Sequence, residues 1–348
     1  MISNSKPIIA VDVMGGDYGP GVLIAGAVDA LKEVEANLVL VGDETIIRNE
    51  LKQLYADHLT IRIVHASQVV EMDDKPSDVL RSKKDASVNV AIQLVASGQA
   101  QGVVSAGNSG ATVASGMFSL GRIPGVERPA LASMMFTEKN PMVLIDVGAN
   151  VDCKPYHLFQ FGLMADVLAR DMLGIPRPQV GILSIGEEKG KGNFQVKEAF
   201  ELFKMTSLNF VGNVEGRDIF SGNLDVVVCD GFVGNVVLKL CEGLTTSLSQ
   251  VLKRELNKGL ISRFGALLTL DAFHRFSKLV DWAEYGGAPL IGLKGIVIVC
   301  HGSSNAKAMN RAIGMAAKLI EKKANKHLMA ELSANEELTR FGKAAMKR

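Results

Sequence analysis

The loop Gly186-Glu187-Glu188-Lys189-Gly190-Lys191-Gly192-Asn193 sets two lysines among glycines directly ahead of a helix-patterned segment. Such a loop presents a cation and several backbone N–H donors to a small oxyanion, adding point charge to the pull of a helix N-terminus. A solvated turn of mixed charge is the plainer alternative. Asn108-Ser109-Gly110 and Gly302-Ser303-Ser304-Asn305 open further helices with hydroxyl and amide groups, and either set serves equally well as an N-cap. Their recurrence at the same end of the expected sheet favours a site. The opening loop, Met14-Gly15-Gly16-Asp17-Tyr18-Gly19-Pro20-Gly21, does not hold G-x-G-x-x-G in register with its strand, and Asp17 opposes a pyrophosphate. A Walker A lysine is also missing, so nicotinamide and P-loop nucleotides are minority readings.

Asp12, Asp43, Asp146 and Asp230 each end or follow an apolar run. Carboxylates there suit a divalent metal or acid–base work, but aspartate also caps helices and forms turns, and at least half of these are expected to be structural. There is no H-E-x-x-H and no histidine cluster, so no metal is assigned. Cys153, Cys229, Cys241 and Cys300 lack the close pairing of zinc or redox motifs and are expected to be buried. Cys300 next to His301 invites a nucleophile–base reading, yet neighbours on a strand point to opposite faces.

The elements that position these groups follow one plan. IIAVDVMGGD (8–17), GVVSAGNSGA (102–111), VLIDVGAN (143–150), VGILSIGEEKGKGN (180–193), VVVCDGFVGN (226–235) and IVIVCHGSSN (296–305) are each an apolar strand running into glycine and small polar residues. Unbroken Val, Ile and Leu runs mark strands buried on both faces, and ligands of open α/β sheets bind outside the strands' carboxyl ends. The six ends are therefore expected to carry one chemistry, that of an enzyme for an anionic substrate. Further strands are expected at 38–41, 61–64, 131–136 and 209–211, with helices at 22–34, 86–96, 156–173, 194–204 and 234–256 between them. The alternation predicts a mostly parallel sheet in a three-layer αβα fold. Residues 131–136 and 143–146, separated by Thr137-Glu138-Lys139-Asn140-Pro141, also suit a hairpin, which makes the sheet mixed.

With 348 residues, 47% of them hydrophobic, the chain can bury a large core, and no linker demands a cut, so one unit over 1–348 is expected. A net charge of +1 and 5% aromatics offer neither field nor stacking platforms for nucleic acid. The start of the chain lacks a signal-peptide pattern and no apolar run reaches spanning length, so a cytoplasmic protein is expected.

Residues 243–284 depart from the rhythm. Leu244, Leu248, Leu252, Leu256, Leu260, Phe264 and Leu268 recur every four positions, which winds off one helical face, and Gly259 and Gly265 are expected to break the helix first. Lys253, Arg254, Lys258, Arg263, Arg275 and Lys278 face only Glu255 and Asp271, an excess of four positive charges. This amphipathic protrusion suits an anionic membrane, an acidic partner or the interface of a dimer. The polar stretch 325–348 reads as a solvated helical tail.

The phrases VDVMGGDYGP, SAGNSGA, IDVGANVDCKP, GILSIGEEKGKGN, CDGFVGNVVLK and YGGAPLIGLKGIVIVCHGSSNAKA, in this order between Val11 and Ala308, closely resemble the bacterial phosphate acyltransferases of phospholipid synthesis, the PlsX family. The resemblance implies a fold similar to isopropylmalate dehydrogenases and phosphotransacetylases, a homodimer, and transfer of an acyl group from acyl-[acyl carrier protein] to inorganic phosphate. It further implies phosphate or oxyanion contacts at Lys191 and Asn235, with Gly15, Gly16, Asp17, Asn108, Ser109, Asn150, Asn193, His301 and Ser303 around them. Phosphate is already a nucleophile near neutral pH, so such a site has mainly to hold it against the thioester and stabilise the oxyanion, without metal or organic cofactor. Acyl carrier protein is the expected macromolecular partner, the +4 region its expected docking surface, and a downstream glycerol-3-phosphate acyltransferase the expected recipient of the product. A metal-dependent hydroxyacid dehydrogenase of the isopropylmalate type and a non-catalytic adaptor for acyl carrier and membrane are the alternatives.

Overall fold

The computed structural model describes residues 6–345. The first half alternates as β1 (Ile8–Asp12), α1 (Pro20–Glu33), β2 (Asn37–Gly42), α2 (Glu44–Gln53), β3 (Arg62–His65), α3 (Pro76–Ser82), α4 (Ser87–Ala96), β4 (Gly102–Ser105) and α5 (Ser109–Ser119). A hairpin of β5 (Ala130–Met135) and β6 (Met142–Ile145) follows, then α6 (Pro155–Leu168), β7 (Gln179–Leu183), α7 (Phe194–Lys204), β8 (Asn209–Val214) and β9 (Val226–Val228). Three helices come next, α8 (Gly231–Leu256), α9 (Leu260–Leu268) and α10 (Leu270–Val280). The chain ends in β10 (Ala288–Ile291), β11 (Ile296–Val299), α11 (Ala306–Glu321), α12 (Ala324–Ala334) and α13 (Glu336–Ala345).

Among the described residues all eleven strands join one sheet in the order β3-β2-β1-β4-β11-β10-β5-β6-β9-β7-β8. Met142–Ile145 and Val226–Val228 are buried at every position, as unbroken apolar runs require when helices cover both faces. One core packs under α1, α6, α7 and α11, and a second under α4, α5 and the start of α8. The hairpin forms as expected, with Ala132 opposite Ile145 and Met135 opposite Met142.

Strand direction splits the glycine-rich loops into two sets. β10 runs antiparallel to both β11 and β5, and β5 antiparallel to β6, whereas β1, β4 and β11 are mutually parallel, as are β6, β9 and β7. The loops after β1, β4 and β11 therefore open on one edge, and those after β6, β7 and β9 on the opposite edge. The expectation of six ends with one shared chemistry is corrected to two sets of three. Helix α8 bridges them. Asp230 caps it at the second edge, and Glu242, about 18 Å further along at 1.5 Å per residue, lies 3.9 Å from His301 of the first.

Three further readings need correction. Ala288–Ile291 is a strand that the flanking glycines and Pro289 disguise. Gly259 does cap a new helix, but Gly265 lies inside α9 and breaks nothing. The tail is docked: Leu328 and Leu332 are buried as α12 and α13 pack on α6, and Glu331 pairs with Arg170 at 2.8 Å.

Candidate active site

At the second edge a buried carboxylate builds the loop. Asp146 accepts hydrogen bonds from the N–H groups of Leu131 (3.0 Å), Gly148 (3.2 Å), Ala149 (3.0 Å) and Asn150 (2.7 Å), and from Asn150 Nδ2 (2.8 Å). Burial pushes its carboxyl above the usual range, and those donors oppose the shift by favouring the ionised form. Asn150 also donates to the Pro129 carbonyl at 2.7 Å, so its amide holds the loop. Asp230 accepts from Val233 N (2.9 Å) and Gln195 Nε2 (2.7 Å), fixing the first turn of α8. A Cβ on Gly234 would stand 1.9 Å from the Asp146 carbonyl oxygen, so only glycine lets α8 come this close. One residue further on, Asn235 rests over Gly148, exposed and with no hydrogen-bond partner for its amide among the described residues.

A second buried carboxylate gathers the first edge. Asp12 accepts from Ser105 Oγ (2.7 Å) and Met14 N (3.2 Å), while Ser105 Oγ accepts from Gly107 N. The opening loop then passes so close that a Cβ on Gly15 would meet Gly107 Cα at 2.6 Å. Gly16 lies against Gly302, and Asp17 N donates to the Gly302 carbonyl at 2.8 Å. Asn108 caps α5 through Ala111 N and donates Nδ2 to the carbonyls of Glu71, Met72 and Asp74, so its amide serves the N-cap reading. All four strand-end aspartates are used in this way, since Asp43 caps α2 through Ile46 N at 2.9 Å.

Between the edges, under α8, lies a pocket of about 320 Å³. Gly148 and Asn235 stand at one end and Ser109 and His301 at the other, with Leu131, Ser133 and Met135 of β5 as its floor. Ser303 N, which can only donate, bonds His301 Nδ1 at 3.1 Å, with Ser303 Oγ 2.7 Å from the same nitrogen. In the neutral ring the proton therefore sits on Nε2, the nitrogen on the side of Glu242. Trp282 leans on the imidazole at 5.9 Å between ring centroids, and Lys239 holds Glu242 at 2.7 Å. Cys300 reaches the lining, but burial pushes its thiol up to about 12, which leaves it protonated and a poor nucleophile. Mostly apolar walls with an amide, the hydroxyls of Ser109, Ser133, Thr245 and Tyr285, an imidazole N–H and the paired Lys239 and Glu242 suit an acyl group at whose carbonyl negative charge develops.

Of the eleven residues expected at the site, the pocket unites Asn235, Ser109 and His301. Gly15, Gly16, Asp17, Asn108 and Ser303 build the neighbouring loops, and Asn150 sits inside the fold. Lys191 and Asn193 follow β7 on the same edge as Asn235 but outside the pocket lining. Asn193 caps α7 through Val196 N and lines a shallow groove with Cys153, Lys154 and Gln195. Lys191 is exposed and makes no ion pair among the described residues, whereas Lys189 is held by Glu201 at 3.1 Å. Ser133, Glu242, Trp282 and Tyr285 were not foreseen. The lone tryptophan ahead of Tyr285-Gly286-Gly287 was the available signal.

The fold is that of the phosphotransacetylases. The chain superimposes on a phosphotransacetylase from Streptococcus pyogenes with a TM-score of 0.62, covering 90% of this chain and 94% of that one at 17% identity. Residues 8–327 match the family described as fatty acid synthesis protein. Phosphate acyltransferase of Oleidesulfovibrio alaskensis is 64% identical over 344 residues, covering 99% of both chains. That of Nitratidesulfovibrio vulgaris is 62% identical over 341 residues, covering 98% of this chain and 99% of the relative. The chain belongs to this family of phosphate acyltransferases.

Proposed function

We propose that the pocket under α8 binds the thioester of acyl-[acyl carrier protein] and that inorganic phosphate attacks it there. A phosphate oxygen bonds to the carbonyl carbon, the C–S bond breaks, and acyl phosphate and the free carrier thiol result. The observation that carries this reading is the meeting of Asn235, Ser109 and His301 around apolar walls in one pocket. Asn235 donates its free amide to phosphate or oxyanion, and Lys191, free of ion pairs, brings the cation from the β7 loop. The whole chain acts as one catalytic unit in a homodimer on the inner face of the membrane, passing its product to a glycerol-3-phosphate acyltransferase. Lys253 and Arg263, the protruding bases without an ion pair among the described residues, face the acidic carrier. With palmitoyl carrier as substrate, free carrier thiol should appear only when phosphate is present. Release at the same rate without phosphate overturns the reading.

His301 Nε2–H supplies the proton to the departing sulfur. His301→Ala should then slow transfer from acyl carrier by about a hundredfold, within the usual worth of a positioned general acid. An aryl thioester, whose thiolate leaves unprotonated, should restore a rate near that of the parent. Equal losses on both substrates would mean that His301 shapes the pocket without giving a proton.

A further inference from the structure

The sheet parts at one place beside the pocket. β10 bonds β5 only at Leu290 with Leu131 and Ile291 with Ala130, while its first residues, Ala288 and Pro289, pair with β11 on the other side. Beyond Leu131 the two strands separate, β5 continuing beside β6 and the chain ahead of β10 leaving through Gly287, Gly286 and Tyr285. Two cavities meet at this opening. One is the pocket under α8, and the other is a groove of about 490 Å³ on the opposite face, between α1, α11 and the turn after α6. Met134 and Tyr285 line both. Met134 belongs to the core under α1 and α11, whereas its neighbour Met135 belongs to the core under α8, so the boundary follows the sheet.

Met134 and Tyr285 are the two residues common to both linings. Met134 is unbranched, and the Tyr285 hydroxyl is held by a single long hydrogen bond to the Leu279 carbonyl at 3.4 Å. Beyond them the groove offers Val34, Pro141, Met172, Leu173 and Met315. Methionine repacks readily around a flexible hydrocarbon. The lining also includes Asn310 and the charged Glu33, Glu284, Arg311 and Lys318, whose charges are taken up within the protein: Arg311 pairs with Glu33 at 3.0 Å and with Glu284 at 3.3 Å, and Lys318 donates to the Met172 carbonyl. The pocket itself, at the small end of the roughly 300–1,000 Å³ of ligand sites, must hold the thioester and the incoming phosphate. A long acyl tail needs the further apolar space that the groove supplies.

We propose that Met134 and Tyr285 form a gate through which a long fatty acyl chain passes from the pocket into this methionine-lined groove, and that the depth of the groove sets the chain-length range. This rests on the acyl-transfer reading above. Gly314 offers a clean test, because it lies in α11 on the groove wall and a Cβ there meets only Val34 Cγ2, at 3.6 Å. Gly314→Leu fills the groove while improving helix propensity. Rates are compared for butyryl, octanoyl and palmitoyl carrier, with size-exclusion chromatography and a thermal melt of both proteins. The variant should keep the butyryl rate and lose about tenfold or more on palmitoyl carrier, the loss expected for excluding two methylenes from an apolar site. An unchanged palmitoyl-to-butyryl ratio overturns the gate, as does an equal loss on every chain with dissociation of the subunits, which would make the groove an interface. A palmitoyl carrier bearing a terminal diazirine gives an independent answer. Cross-links at Met172, Leu173 or Met315 support the path, and cross-links confined to α8–α10 overturn it. A parent protein that releases no carrier from any chain length refutes the acyl-transfer reading itself, a result distinct from failure of the gate.

Discussion

Asn235→Ala should lower the phosphate-dependent rate about a hundredfold, near 3 kcal/mol of transition-state stabilisation, the typical loss on removing one oxyanion donor. The amide of Asn235 is the exposed polar group that α8 brings over Gly148, and no intramolecular bond competes for it among the described residues. The backbone around it is independently fixed by Asp146 and Asp230, so the variant should keep its melting temperature. Lys191→Ala should cost a similar factor and raise the KM for phosphate, whereas Lys189→Ala, which breaks an exposed pair with Glu201, should stay within a few-fold of the parent. Initial rates over a phosphate series decide it. Small and equal effects at Lys191 and Lys189 would reduce the loop to a solvated turn, and a small effect at Asn235 would move the chemistry out of this pocket.

The second large effect concerns the protrusion. No residue of α9 or α10 is buried, and Leu260 and Phe264 are 84% and 64% exposed. None of the helices among the described residues is long and apolar enough to cross a membrane, so this apolar surface can meet lipid only by lying on it. Each such side chain withdrawn from lipid forfeits about 1.5–3 kcal/mol. Leu260→Glu combined with Phe264→Glu should therefore weaken flotation with anionic liposomes about a hundredfold or more, leaving the size-exclusion elution volume and the transfer rate on soluble carrier unchanged. Dissociation into monomers would identify the surface as a subunit interface. Flotation equal to the parent would remove membrane binding from these helices.

Much of this architecture was legible locally. Val226–Val228 and Met142–Ile145 announce buried strands by unbroken apolar runs, and 137–141 reads as the hairpin that it is. The long helix expected from its spacing at 234–256 forms as Gly231–Leu256. Strand direction was legible only in part: the hairpin at 131–146 already reverses β6, and with it β7 and β9, against β1 and β4, but the return of β11 to the first direction depends on β10, whose Ala-Pro-Leu-Ile sequence between glycines looks like a loop. Six loops seemed to share one edge because the hairpin's reversal was not carried through to the strands after it. The α13 dock escaped for a related reason: its surface is charged, and its attachment rests on partners distant in sequence, such as Lys343 with Glu127. At the site, residue type exposed the candidates without ranking them. Asn108, Asn150 and Asn235 look alike in sequence, yet the first caps a helix, the second holds a loop and the third alone has an unbonded amide in the pocket.

Direct attack of phosphate on the thioester in this pocket is tested most plainly by isotope. Protein, palmitoyl carrier and phosphate labelled with oxygen-18 at every position are mixed, and the product and intact protein are weighed by mass spectrometry. The account predicts palmitoyl phosphate retaining all the labelled oxygens, including the one bridging carbon and phosphorus, with no acyl adduct on the protein before phosphate is added. An acylated protein formed from the thioester alone, or free palmitate with the phosphate left unconsumed, would contradict it.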